Sequence, residues 1–226
     1  MYLLVQYDDR NIDEFNILIE NNKNYCKFNN IEYLFLNKGY SQYPPWWRKV
    51  FMVAELLPLY EAVFWIDTDA TIIQSTHYKE FFEDKHFFFS PNPPPIFNNK
   101  HLDFLTAPLC AGVWAVRNSP EGNNLMKHWK SSYDPSFWKN DNGKWTCNGT
   151  YGGRLYEQGS FELNIYRNAD LKKLIRPYPY HKFNYVARRD KELNDSDCPN
   201  DVFCLHYWSG QRTQISEHWK KPLIFL

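Results

Sequence analysis

Four consecutive apolar residues, Val63, Phe64, Trp65 and Ile66, run straight into Asp67-Thr-Asp69. An unbroken apolar run of this length fits a strand buried on both faces of a mostly parallel sheet. Side chains at i and i+2 of an extended chain share a side, so both carboxylates converge just past the strand's carboxyl end. Open α/β sheets bind their ligands there. Two neighbouring carboxylates repel each other unless a cation lies between them, and a hard divalent metal is the natural candidate. Asp also favours turns on its own account. Asp-x-Asp is a weak pattern alone, and the surrounding chain has to decide.

That surrounding chain reads as α/β. Residues 2–7 form a strand, with a turn at 8–11. Ile12, Phe15, Leu18 and Ile19 then follow helical spacing, with Asp13 and Glu14 in the first turn. Residues 31–36 return as a strand, closing a unit typical of parallel sheets. Pro44 and Pro45 prepare a helix through Trp46, Lys49, Val50, Val53, Leu56 and Leu57, which ends at Pro58. Further strands are expected at 86–90, 111–116 and 202–208, the last carrying His206. Ser119-Pro120 supplies a helix cap and a proline first turn. Residues 133–153 are long, polar and without clear period, a length of loop that is often functional; residues 91–95 form a stiff proline loop. Residues 155–167 resume helical spacing and carry Glu157. No repeat or linker interrupts the 226 residues. The expectation is a single α/β domain, a mostly parallel twisted sheet flanked by helices, standing alone or within a longer chain.

Composition narrows the functional classes. Lys+Arg and Asp+Glu are both 26, which gives no basis for a nucleic-acid binder driven by phosphate attraction. Anion binding must then be local, and Arg48 and Lys49 near a helix amino end are mildly unfavourable there unless an anion offsets them. Aromatics reach 19%; most fill the core, and exposed rings suit the C–H faces of sugars. Five cysteines without CxxC pairs point to reduced thiols in a cytosolic setting. The first residues enter a strand with no signal-peptide pattern, and no run approaches the ~20 apolar residues of a membrane span. His206 on an apolar strand reads, from the residues alone, as a satisfied core histidine.

Five segments in order now resemble nucleotide-sugar glycosyltransferases of the GT-A fold, in particular glycosyltransferase family 34 and related viral capsid glycosyltransferases. Trp47-Arg-Lys-Val50 resembles the family's Trp-x-Lys helix start, and Phe64 to Ile72 its Asp-x-Asp strand. Ala111-Gly-Val-Trp-Ala-Val-Arg-Asn-Ser119 is similar to its Asn-x-Gly segment. Tyr156-Glu-Gln-Gly-Ser160 and Leu205-His-Tyr-Trp-Ser-Gly210 stand where the family has an acidic helix start and His-Phe-x-Gly. The resemblance implies a hexosyl- or pentosyltransferase with Asp67, Asp69 and His206 on Mn²⁺ or Mg²⁺. It further implies a UDP-sugar donor held by Tyr7, Asp8, Arg48, Lys49, Asp67 and Gly210, and a glycan or glycoprotein acceptor. Glu157, with Asp103 in reserve, would be the carboxylate beside the reacting sugar. His206 and Gly210 are four apart where the family has three, and its paired acids become Glu157 and Gln158, which leaves retention or inversion open. A viral origin would place the protein in the host-cell cytoplasm.

Two rival readings fit parts of the same chain. Asp67-Thr-Asp-Ala-Thr71 matches the Asp-x-Asp-x-Thr signature of phosphatases with an aspartate nucleophile. Those enzymes carry it on their first strand, whereas two strands and two helices precede it here, and Asp195-x-Asp197 follows no apolar strand. A non-catalytic carbohydrate-binding domain would account for the aromatic content alone.

Overall fold

The computed structural model describes residues 1–10, 12–92, 109–185, 200–207 and 209–225. The opening unit is β1 (Tyr2–Tyr7), α1 (Asn16–Asn29) and β2 (Glu32–Leu36). Asn30 ends α1 in the left-handed conformation, φ 54°, returning its N–H to the last turn, as Asn tolerates. Helix α2 (Pro45–Leu56) begins on proline and leads into β3 (Ala62–Ile66), which is buried throughout. Next come β4 (Ala70–Ile72), β5 (Phe87–Phe89) and β6 (Val113–Arg117). Helix α3 (Pro120–Ser131) is capped by the Ser119 hydroxyl, which accepts from the Gly122 N–H.

Strands β2, β1, β3, β6, β5 and β9 (Ile175–Pro177) make the main sheet in that order, and β6 alone runs against the rest. Alternation along β3 splits its side chains between two cores. Val63 and Trp65 pack with Val50, Trp114 and Trp129 beneath α2 and α3, while Phe64 and Ile66 pack with Tyr25, Phe81 and Phe203 on the other face. A strand buried on both sides has no room for a polar residue, so the carboxylates fall at its end.

After Asp69 the chain leaves the main sheet. The Ala70 N–H turns back to the Asp67 carbonyl at 3.0 Å, and β4 pairs antiparallel with β10 (Cys204–His206), with His206 opposite Ala70. Buried Asn22 on α1 clamps β4 from behind. Its amide donates to the Ala70 carbonyl and accepts from the Ile72 N–H, both at 3.0 Å.

The stretch expected to be an irregular loop at 133–153 holds a hairpin, β7 (Trp138–Asp141) and β8 (Lys144–Cys147), turned at Asn142 (φ 50°) and Gly143 (φ 90°). Asn-Gly supplies both left-handed positions such a turn needs, and the signal is local rather than periodic. The helix expected over 155–167 is α4 (Glu157–Phe161), followed by a π-helical turn, Glu162–Tyr166. Helices α5 (Ala169–Lys172), α6 (Tyr180–Asn184) and α7 (Ile215–His218) complete the elements described here. Asp103, most of the proline loop and the Asp195/Asp197 pair lie outside the described residues. Among the described residues no helix is long and apolar enough to cross a membrane.

Replacing Asn22 by Ala strands two buried backbone groups, each costing about 1–3 kcal/mol. Denaturant unfolding of Asn22→Ala is expected to show a loss of roughly 3 kcal/mol, with β4 and Asp69 the elements loosened.

Candidate active site at the end of the third strand

Asp67 and Asp69 stand on the turn between β3 and β4, where main sheet and small sheet part. The antiparallel pairing of β4 with β10 carries His206 to them across 137 residues of sequence (206 minus 69). One donor atom each from Asp67, Asp69 and His206 lies within 4.8 Å of the others. His206 Nε2 is 3.3 Å from Asp69 Oδ1. Gly112 makes the approach feasible, because a Cβ there would lie 2.2 Å from His206 Cε1.

Asn184 at the end of α6 orients the imidazole. Both hydrogens of its buried amide go to backbone, to the carbonyls of Ser90 and Pro91 at 3.2 Å. Its oxygen therefore accepts, and its partner is His206 Nδ1 at 3.0 Å. Nδ1 donates to that oxygen and Nε2 is the nitrogen turned toward Asp69. This is the arrangement in which a histidine ligates a metal while its other nitrogen is held by an outer partner. Burial works against the charged ring, but Asp69 and Cys110 lift it to about 10, so Nε2 would give up a proton on ligating a metal.

Cations balance the two carboxylates in this structure. Lys49 Nζ lies 2.8 Å from Asp67 Oδ1, which also accepts from the Trp65 indole at 2.7 Å, so Asp67 Oδ2 takes no hydrogen bond among the described residues. Arg212 donates twice to Asp69 Oδ2, at 3.0 and 2.7 Å, leaving Oδ1 toward His206. One oxygen of each aspartate and the imidazole nitrogen thus remain on a common side. Two carboxylates and an imidazole, open for further oxygen ligands, suit Mn²⁺ or Mg²⁺. Burial alone would raise the Asp69 carboxyl, but His206 and Arg212 outweigh it and hold it well below the usual carboxylate range.

In front of these groups opens a cleft of about 440 Å³, within the size range of small-molecule sites. Tyr7, Asp8, Arg48, Lys49, Asp67 and Asp69 all line it, together with Arg10 and Arg212. Asp8 accepts from Arg10 and from the Thr68 hydroxyl, which ties the end of β1 to the Asp-x-Asp turn. Arg48 pairs with Asp9 and lies over the Tyr7 ring at 5.5 Å from its centroid. The two basic residues at the start of α2 are therefore each offset by an acid of this chain. Gly210 lies on the 3₁₀ turn Ser209–Gln214 that delivers Arg212.

Glu157 is 3% exposed and does not line the cleft; burial pushes its carboxyl up to about 7, against the pull of Lys49. Its Oε2 has no hydrogen-bond partner among the described residues. Next to it, Gln158 Oε1 accepts from the Ala111 N–H at 3.0 Å, tying α4 to the strand that carries Gly112. Reasoning from the sequence passed over Asn184, Arg212 and Asn22. None belongs to a short motif, though an arginine six residues after His206 was a signal within reach.

No family model and no curated protein matches the chain in sequence. Solved structures do match. The chain superposes on a glycosyltransferase involved in the glycosylation of the major capsid of PBCV-1 with a TM-score of 0.61, over 96% of this chain and 98% of the other, at 12% identity. Mouse xyloside xylosyltransferase 1 is matched at TM-score 0.48, 11% identity, over 91% and 96% of the two chains. An active-site mutant of LgtC gives 0.37 and 10%, over 99% and 98%. The first of these superpositions shows the fold, a GT-A-like α/β fold with a mostly parallel sheet flanked by helices. The Asp-Asp-His cluster lies at the carboxyl end of one of its central strands.

Glu157 carries a pH signature. Its folded pKa of about 7 lies above its ordinary 4.5, so the folded state holds the proton more tightly than the unfolded chain. That contribution is complete below about pH 4.5 and lost as pH rises through 7. Thermal unfolding between pH 5 and 8 is expected to show wild type losing stability more steeply than Glu157→Gln. Parallel curves would mean that the carboxyl ionises normally.

Proposed function

We propose that the protein is a metal-dependent glycosyltransferase that moves a sugar from a UDP-sugar to a hydroxyl of a glycan or glycoprotein. The observation that carries this reading is the convergence of Asp67, Asp69 and His206 at the edge of a cleft whose lining includes both aspartates with Lys49, Arg48, Arg10 and Arg212. Three hard or borderline ligands beside four cations form a site for a divalent ion and a polyanion together. A nucleoside diphosphate is that kind of ligand. The imidazole favours Mn²⁺ over Mg²⁺.

When bound, the ion supplies Lewis-acid stabilisation of the negative charge that grows on the departing diphosphate. The chain's own residues do the rest. Asp67, Asp69 and His206 hold the ion, with Asn184 fixing the imidazole. Arg212, which donates to Asp69 Oδ2, would be available to phosphate were that carboxylate to hold an ion, and Lys49 on Asp67 would keep the site near neutrality. Tyr7 and Asp8 hold the nucleoside end. Glu157 or Asp103 would be the carboxylate beside the reacting sugar, and Glu157, buried outside the cleft lining, takes that role only where substrate binding uncovers it.

The GT-A-like fold argues against the aspartate-nucleophile phosphatase, which requires its Asp-x-Asp-x-Thr on a first strand. Titration calorimetry with UDP separates the proposal from a carbohydrate-binding domain. Wild type is expected to bind UDP with Mn²⁺ at least tenfold more tightly than without it. Asp69→Asn is expected to lose that manganese dependence. Asn184→Ala keeps the three ligands but frees the imidazole, and is expected to weaken Mn²⁺ about 10- to 100-fold. No heat with UDP in either condition would overturn the glycosyltransferase reading.

A further inference from the structure

The cleft is lined by two chemically different sets of residues. The charged set holds the carboxylates and the four cations described above. Besides these, Trp46, from the first turn of α2, and Tyr151 give the cleft an aromatic wall, with Gly143 at the tip of the β7–β8 hairpin lining the same space. Tyr151 is 52% exposed, unusual for a ring inside a cleft. It is nonetheless held in place. Its ring packs edge-on against Trp46 at 5.9 Å and Tyr156 at 5.2 Å. Trp138, at the base of the hairpin, packs on Trp46 and Tyr156 in turn. The aromatic cluster thus anchors both the exposed ring and the ribbon whose tip borders the cleft.

Resting on the donor reading above, we infer that this wall is a pyranose subsite, with Tyr151 as the platform for the apolar C–H face of a sugar ring. A diphosphate gains nothing from an aromatic surface, whereas a sugar presents one apolar face and a rim of hydroxyls. A half-exposed ring under a polar hairpin turn of Asn142 and Gly143 answers both. The other aromatics lining the cleft, Tyr7 and Trp65, are buried to 9% and 2% exposure under the Arg48 guanidinium and the Lys49 ammonium and offer no comparable surface. The sugar is either the one carried by the donor or the terminal residue of the acceptor; both have the same ring chemistry.

The test compares Tyr151→Ala and Tyr151→Phe with wild type in the presence of Mn²⁺. Bare UDP, UDP-glucose, UDP-galactose and UDP-xylose are titrated, followed by the methyl glycosides of glucose and galactose with UDP present. The expected result is a loss of tenfold or more for at least one sugar-bearing ligand in Tyr151→Ala, and less than twofold in Tyr151→Phe, which keeps the ring. Loss confined to the UDP-sugars assigns the platform to the donor, and loss confined to the methyl glycosides assigns it to the acceptor. Bare UDP should be bound alike by all three proteins. If bare UDP weakens as much as the sugar ligands, the ring stacks on uracil and the inference fails. It fails equally if Tyr151→Ala binds every ligand as wild type does. A wild-type protein that binds no UDP at all defeats the donor reading instead, a result visible before either variant is compared. Because the ring is half exposed, both variants are expected to melt within about 3 °C of wild type.

Discussion

Everything in this site follows from the repulsion between two carboxylates placed at the end of a strand that is buried on both faces. The core of the sheet accepts no charge, and the turn after β3 places Asp67 and Asp69 together. The chain answers with positive charge from three directions: Lys49 from α2, Arg212 from the turn before α7, and His206 from β10. Each reaches a different carboxylate oxygen or side of the pair. The balance is local, which is how a chain of zero formal charge can hold a strongly polar cleft. Under the function proposed above, a divalent ion would take over part of the work of the Arg212 guanidinium.

The surrounding architecture serves the placement of those few atoms. Asn22 fixes β4, β4 fixes β10, and the pairing of the two brings His206 to Asp69. Gly112 leaves room for the imidazole and Asn184 selects its nitrogen. These supports are buried polar or small residues, the kind whose loss leaves an unsatisfied group or a clash rather than a mere gap. Beyond them the cleft is lined by both charge and aromatic surface, and that difference of character underlies the division proposed between diphosphate and sugar.

The parts legible in the sequence were those with a local physical cause. The apolar run into Asp67, the proline start of α2 and the Ser119 cap each announce themselves within a few residues, and all are present in the structure. Period and capping did not reveal the β7–β8 hairpin, because its strands are too short and polar to alternate cleanly; its Asn-Gly turn was the cue. They also overstated the helix at 155–167, where backbone hydrogen bonding widens into a π turn after only five residues. The order of the motifs made the GT-A resemblance legible, and the superposition on the capsid glycosyltransferase at 12% identity agrees at the level of fold.

Residue type and spacing by themselves therefore determined the α/β class, the buried strand and the side on which two carboxylates would converge, since those depend on neighbours in the chain. Tertiary structure alone decided which cations meet those carboxylates, which nitrogen of His206 faces them, and that Asn184 and Arg212 belong to the site at all. It also set Glu157 in a buried position that lifts its pKa toward 7. Such facts depend on distances between residues far apart in sequence and on the dielectric around them, and no local pattern encodes either quantity.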